Sequence, residues 1–225
     1  MSLPTKTLGK TNRKVTIFGL GGEGILRTRG YEKEAESVIK KAVEVGVTYF
    51  DTAPAYEQSR DYLGYSLWKY TKRENIFLAS KTHDRTYQGT MFLIEDSLKR
   101  LKTNYLDLIQ LHDLRTNEDL EEIFSPNGAI HAVEEARKKG MGIIAMKVTA
   151  QVHALSTISM KEAIYYTLSL DVDLAIIGCR TPQEIEENAE LVKNFKPLTK
   201  EELLQIEGKT KSRVLDTNFF KKGMY

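Results

Sequence analysis

Three apolar runs in this chain end on residues able to do acid–base chemistry. Val47-Thr48-Tyr49-Phe50 runs into Asp51, Ile76-Phe77-Leu78-Ala79-Ser80 into Lys81, and the run through Leu108-Ile109-Gln110-Leu111 into His112. A tyrosine, Tyr56, follows Asp51 by five residues across a Thr-Ala-Pro turn. A free phenol, with a pKa of about 10, is a poor acid at neutral pH. An ammonium beside it stabilises the phenolate and lowers that value, and a carboxylate behind the ammonium holds it in place. A nearby imidazole can hydrogen-bond a carbonyl oxygen and orient it. The four residues together suit protonation of a carbonyl oxygen while hydride is delivered to its carbon. No side chain donates hydride, so this chemistry requires a nicotinamide or a flavin.

Such a set works only if the chain brings it to one place, and the spacing says that it does. Asp51 and Lys81 are 30 residues apart, Lys81 and His112 31. Backwards, Val15 to Leu20 ends near Gly21, and forwards, Gly142 to Met146 ends on Lys147 and Leu174 to Ile177 on Gly178. Strand, helix and return in about thirty residues is the size of a βα unit in a parallel sheet. Equal phase puts the C-terminal ends of all six strands on one rim, where such sheets and barrels keep their sites. Singly, Lys81 reads as an ion-pair partner and His112 as a satisfied strand-end histidine. Their joint placement with Asp51 and Tyr56 carries the functional reading.

The intervening segments have the patterns of helices. Ala35, Val38, Ile39, Ala42 and Val43 form one stripe that Gly46 can end, and Ser59 is a candidate cap for a helix carrying Tyr62, Leu63 and Leu67. Met91, Ile94, Leu98 and Leu101 mark a third helix, and Ile130, Val133 and Ala136 a fourth. Ser159–Glu162 and Thr181–Glu184 have the spacing of capping boxes, the second with proline at the first helical position, and Thr199 with Glu202 opens a last short helix. Thr5 to Thr16 reads as a β-hairpin about Gly9-Lys10-Thr11-Asn12, and Arg213 to Tyr225 as an irregular tail. Gly19-Leu20-Gly21-Gly22-Glu23-Gly24 matches the spacing of a dinucleotide fingerprint. That motif needs a helix opening on its last glycine, whereas the helical pattern here starts only near Tyr31. A Gly-rich strand-to-helix loop fits better.

Composition sets bounds on class. With 225 residues and 41% apolar content, the chain is expected to form a single domain over residues 1–225. A net charge of +2 gives no field pointing to nucleic acid, and no apolar run is long enough for a membrane span. The single cysteine, Cys179, rules out an intramolecular disulfide and a cysteine-cluster metal site, so no metal is expected. The N-terminus carries no apolar signal segment, and a cytoplasmic protein is the default expectation.

At the rim residues the chain resembles the aldo-keto reductases. The family pattern is matched by Phe50-Asp51-Thr52-Ala53, Tyr56, Ser80-Lys81-Thr82 and Gln110-Leu111-His112, in order. Ile176 to Pro182, followed by Glu187-Asn188, is similar to the segment that holds the adenosine end of the cofactor. The likeness runs from about Thr5 to Lys196. It implies a TIM barrel floored by the N-terminal hairpin and NADPH-dependent reduction of a small-molecule aldehyde or ketone, by a monomer or homodimer. Tyr56 would be the proton donor, Lys81 and Asp51 its tuning pair, and His112 the carbonyl orienter. The implied cofactor-binding set is Gly21, Gly22, Asp51, Lys147, Gly178, Cys179, Arg180, Glu187 and Asn188.

Two departures bear on those expectations. The family barrel has eight βα units and six are readable here, with the gap near Gly140-Met141 in the segments that pack around nicotinamide. Where many members place Lys, Ser and Arg for the 2′-phosphate, this chain has Gly178, Cys179 and Glu184, which leaves NADH possible beside NADPH. The alternative reading is a non-catalytic relative, a nucleotide-binding or regulatory protein that kept the four rim residues. A chain lacking two units has to pair the strand before His112 with the strand before Lys147, or leave two open edges.

Overall fold

The computed structural model describes residues 2–112, 125–128, 144–146, 148, 153–170 and 172–211. A two-stranded antiparallel hairpin, β1 (Thr5–Thr7) and β2 (Lys14–Thr16), comes first, in the register Thr5 to Thr16. Its turn uses Gly9 and Asn12 at positive φ, the conformation that glycine and asparagine tolerate. Six strands then form one all-parallel sheet: β3 (Phe18–Gly21), β4 (Tyr49–Asp51), β5 (Phe77–Thr82), β6 (Leu108–Leu111), β7 (Ile144–Ala145) and β8 (Leu174–Gly178). The spatial order is β6-β5-β4-β3-β8-β7. The sheet is a half-barrel whose first and last strands, β3 and β8, pair along Phe18–Gly21. No ladder joins β6 to β7 among the described residues, so they are the outer strands of an open sheet. The junction at Gly140-Met141 and the helix expected around Val133 lie outside the described residues, as does the tail after Lys211.

Among the described residues the α-helices are α1 (Glu32–Glu44), α2 (Ser59–Tyr70), α3 (Tyr87–Leu101), α4 (Met160–Ser169), α5 (Pro182–Lys193) and α6 (Lys200–Thr210). Gly46, at φ +90, ends α1 as the sequence suggests. Ser159 with Glu162 and Thr199 with Glu202 form complete capping boxes on α4 and α6. Two expected caps differ. Ser59 is the first residue of α2 rather than its cap, because its hydroxyl accepts a 2.8 Å bond from Thr52. Thr181 caps α5 through the Glu184 amide, but the Glu184 carboxylate accepts from the Arg180 amide at 2.7 Å instead of closing the box.

Strand alternation splits the buried residues into two layers. Phe18, Leu20, Phe50, Leu78 and Ile177 pack outward against Val38, Ile39, Leu63, Leu67, Ile185 and Val192 of the helices. Each such side chain contributes roughly 2 kcal/mol by leaving water. Tyr49, Phe77, Ala79, Leu174 and Ile176 face inward and meet Leu8 and Val15 of the hairpin, which floors the strands' N-terminal end. The Lys6 ammonium donates to the Val172 carbonyl at 2.7 Å and the Gly9 amide to Asp173 at 3.0 Å, tying the hairpin to the start of β8.

Candidate active site

The inward layer that is apolar near the floor turns polar at the opposite end. In β4, Tyr49 and Asp51 share the inner face, and in β5 Phe77, Ala79 and Lys81 do. Asp51 and Lys81 are each 1% exposed. The Lys81 ammonium hydrogen-bonds Asp51 Oδ2 directly and donates to the Thr52 carbonyl at 3.0 Å. Burial pushes the Asp51 carboxyl above the usual carboxylate range. The Lys81 ammonium opposes that shift and the negative charge of Glu23 adds to it. Asp51 Oδ1 has no hydrogen-bond partner among the described residues.

Tyr56 reaches this pair from the loop after β4. The turn is closed by a 3.1 Å bond from the Tyr56 amide to the Ala53 carbonyl and a 2.8 Å bond from the Ser59 amide to the Tyr56 carbonyl. Lys81 Nζ lies 5.0 Å from the centre of the Tyr56 ring, and the side chain is buried. The His112 ring stands edge-on to the Tyr56 ring, with centroids 5.5 Å apart. Its place is fixed by a 2.7 Å bond from its amide to the Thr82 carbonyl, one step past the end of β6. Asp51, Tyr56, Lys81 and His112 therefore meet at the C-terminal ends of the strands, as their spacing predicts.

Asp51 and Tyr56 line a cavity of about 420 Å³ that continues across the mouth of the sheet. Gly21, Gly22, Gly178 and Arg180 of the expected cofactor set line it too. Met146, Val148, Leu155, Met160 and Ile176 give it an apolar wall. Two glycines of the loop after β3 are required by close backbone packing. A Cβ on Gly22 would stand 2.6 Å from Ser59 Oγ and 2.8 Å from the Asp51 carbonyl. Gly24 has φ +66, and its Cβ would lie 2.4 Å from the Cys179 carbonyl. The loop runs into a short 3₁₀ turn, Gly24–Leu26, and not into α1, which bears out its separation from a dinucleotide fingerprint.

Two expected cofactor residues face elsewhere. Cys179 follows Gly178 by one, so alternation turns its side chain out of the cavity into the packing between sheet and helices. Burial there pushes its thiol up to about 12, although the Asn188 amide donates to its sulfur at 3.5 Å. Asn188 is thus a buried brace behind the loop, and Glu187 is exposed on α5, one turn after Glu184. Lys147 lies outside the described residues. In the other direction, the structure adds lining residues that the sequence did not single out for the site. Glu184, already noted at a 2′-phosphate position, lines the end next to Arg180, and two residues are new. Glu23 and Arg27 line the end next to Tyr56, with the Arg27 guanidinium carbon 5.4 Å from the Tyr56 ring centre. Their placement follows from the tight passage of the Gly-rich loop over Cys179, a packing relation that residue types alone do not announce. Among the described residues, no group of three or more His, Cys, Asp or Glu side chains could hold a metal ion, and no helix is long and apolar enough to cross a membrane.

Comparison with known proteins bears on the fold and the family. The family model described as "Aldo/keto reductase family" matches residues 17–145. The aldo-keto reductase YhdN of Bacillus subtilis is 38% identical over 93 residues, covering 36% of this chain and 28% of that protein. The aldo-keto reductase str7 of Strobilurus tenacellus is 29% identical over 190 residues, covering 77% of this chain and 55% of its relative. Thus the chain spans between about a quarter and somewhat over half of the length of these relatives. Among solved structures, the holo form of an aldo-keto reductase from Bacillus halodurans superposes with a TM-score of 0.71 at 20% identity, over 92% of this chain and 96% of that one.

Proposed function

The chain belongs to the aldo/keto reductase family, and from that membership we propose that it reduces an aldehyde or ketone to the alcohol with a reduced nicotinamide nucleotide. The observation that carries this reading is the buried Lys81, fixed by Asp51, with its nitrogen 5.0 Å from the Tyr56 ring centre on a cavity rim. The cavity fits a nicotinamide nucleotide in its chemistry. It has an apolar wall, glycines that bring no side chain into it, and one charge of each sign at its far end in Arg180 and Glu184. Gly21, Gly22, Asp51, Gly178 and Arg180 would hold the nucleotide, NADPH or alternatively NADH. When bound, it supplies the hydride that adds to the carbonyl carbon.

The chain's own residues handle the proton. The Tyr56 hydroxyl gives its proton to the carbonyl oxygen, so that one hydride and one proton convert C=O to CH–OH. The phenolate left behind sits against the Lys81 ammonium, which lowers the cost of losing the proton, and it is reprotonated from solvent. Asp51 keeps the ammonium in place, and the His112 ring, edge-on to Tyr56, orients the carbonyl oxygen. The test is oxidation of NADPH or NADH by an aromatic aldehyde. Tyr56→Phe should lower the rate by a factor on the order of 10² to 10⁴, the usual weight of a general acid, with the fold intact by circular dichroism. Equal rates in wild type and variant would remove Tyr56 from the mechanism. A second reading, a nucleotide-binding protein without turnover, is favoured by one observation, that among the described residues the sheet has six strands and is open between β6 and β7. Saturable NADPH binding with no aldehyde reduced would select it.

A further inference from the structure

Two cations lie against the Tyr56 ring, and only one of them belongs to the proton-transfer set. Lys81 is buried and spent on Asp51 and the Thr52 carbonyl. Arg27 approaches from the loop after β3, with its guanidinium carbon 5.4 Å from the ring centre, and its side chain is 44% exposed. Its Nη1 donates to Glu23 at 3.1 Å, and among the described residues Nε and Nη2 have no hydrogen-bond partner. A guanidinium with unspent donors presents the planar fork that a carboxylate can accept in two parallel bonds.

The turn that carries Arg27 is stapled on both sides. The Ile25 amide donates to the Cys179 carbonyl at 3.1 Å, Thr28 Oγ1 to the Ile25 carbonyl at 2.6 Å, and Leu26 is fully buried. A cation on so short a braced segment is held at a set distance from Tyr56 before any ligand arrives, which is what a specificity residue requires. Glu23 comes from the same turn and holds Nη1. An incoming carboxylate can take the Nε and Nη2 side without displacing Glu23, but it meets that neighbouring negative charge, so removing the charge strengthens anion binding. Among the described lining residues the other accessible cation is Arg180, which stands at the end occupied by Glu184.

We infer that Arg27 is a carboxylate-binding residue, and that the preferred substrates are aldehydes or ketones bearing a carboxylate on the side of the carbonyl facing the loop after β3. This rests on the reductase reading, so its test includes a measurement without turnover. With the full chain and NADPH present, benzoate should bind at least tenfold more tightly than benzamide by calorimetry. Arg27→Gln should abolish that difference, Arg27→Lys should restore part of it, and Glu23→Gln should enlarge it. In turnover, 4-carboxybenzaldehyde should be preferred over its methyl ester at least tenfold in kcat/KM by the wild type and not by Arg27→Gln. Equal binding of benzoate and benzamide, or a preference that survives Arg27→Gln and disappears in Arg180→Gln, would overturn the assignment. Arg27-dependent benzoate binding with no aldehyde reduced would support it and sink the reductase reading alone.

Discussion

Two buried aspartates on neighbouring parts of the sheet have opposite surroundings. Asp107 precedes β6 at the floor, and both its oxygens are used. Arg13 of the hairpin forms an ion pair with Oδ1 at 2.9 Å, and Arg73 and the Leu78 amide donate to Oδ2 at 2.6 and 2.8 Å. Asp51 ends β4 at the mouth with one cation on Oδ2, no partner for Oδ1 among the described residues, and a carboxyl raised by burial. The floor aspartate joins hairpin, β5 and β6, so its satisfied bonds do the work of holding the fold. The mouth aspartate is kept under-satisfied beside a cavity, as expected where a charge must influence another group. The satisfied ionic cluster and the proposed chemistry thus lie at opposite ends of the same strands.

The sharpest way to break that division is to remove one partner at each end. Lys81→Met should cost activity a factor on the order of 10² or more, because Tyr56 loses the ammonium that stabilises its phenolate. Asp107→Ala should leave the specific rate of folded protein within about twofold. It should lower unfolding stability by roughly 3–5 kcal/mol, the usual cost of stripping one partner from a buried ionic cluster. Urea denaturation beside aldehyde-dependent NADPH oxidation reads both. Should Asp107→Ala reduce kcat in the folded fraction as severely as Lys81→Met does, the two ends are not separate.

A third acid sharpens the comparison from the surface. Glu162 accepts from the Ser159 amide at 2.8 Å and pairs with Lys209, joining the start of α4 to the end of α6. Those bonds, that of Lys209 first, pull its carboxyl from 4.5 to about 2. The sign is therefore opposite to that of Asp51. A lowered folded pKa means stability that is present above pH about 4.5 and is lost as pH falls through about 2. Asp51, raised, contributes stability that is present in acid and lost as pH rises. Glu162→Gln keeps the capping-box acceptor but loses the charge paired with Lys209, so it should lower stability at neutral pH by up to about 1 kcal/mol, and the deficit should shrink as pH falls from 4.5 towards 2. A deficit unchanged between pH 6 and pH 2.5 would show that the charge of Glu162 is not what joins the two helices.

What could be read from the sequence follows the same physical divide. Period and phase were enough to place Asp51, Lys81 and His112 on one rim, because strand ends in successive βα units face the same way. The caps of α4 and α6 were legible because their bonds are local, within three residues. Cys179 and Asn188 were assigned to the cofactor by motif position, whereas strand alternation from Ile176 and Gly178 turns Cys179 outward and Asn188 braces it from behind. Arg27 escaped because no periodicity governs a 3₁₀ turn. Its position depends on Gly24 fitting over the Cys179 carbonyl, a contact between residues far apart in the chain.

The smallest predicted effect concerns a residue between the two ends. Tyr49 faces inward from β4, two residues before Asp51, with its ring stacked on Phe77 at 5.2 Å. Its hydroxyl is buried without a hydrogen-bond partner among the described residues, and burial first, then the charges of Asp51 and Asp107, push its pKa well up. A buried hydroxyl that forms no bond has paid desolvation without return, whereas the ring's packing is unaffected by losing one oxygen. Tyr49→Phe should therefore leave stability unchanged or raise it by up to about 1 kcal/mol, as buried unsatisfied groups cost about that much, and should leave the rate of aldehyde reduction within about twofold. Urea unfolding and the NADPH assay on the same preparation decide it. A loss of more than about 1 kcal/mol would mean that the hydroxyl is partnered and stabilising, making Tyr49 part of the floor. A tenfold fall in rate at unchanged stability would instead extend the chemical end two residues deeper into the sheet, and the boundary between the two regions would have to be drawn below Tyr49.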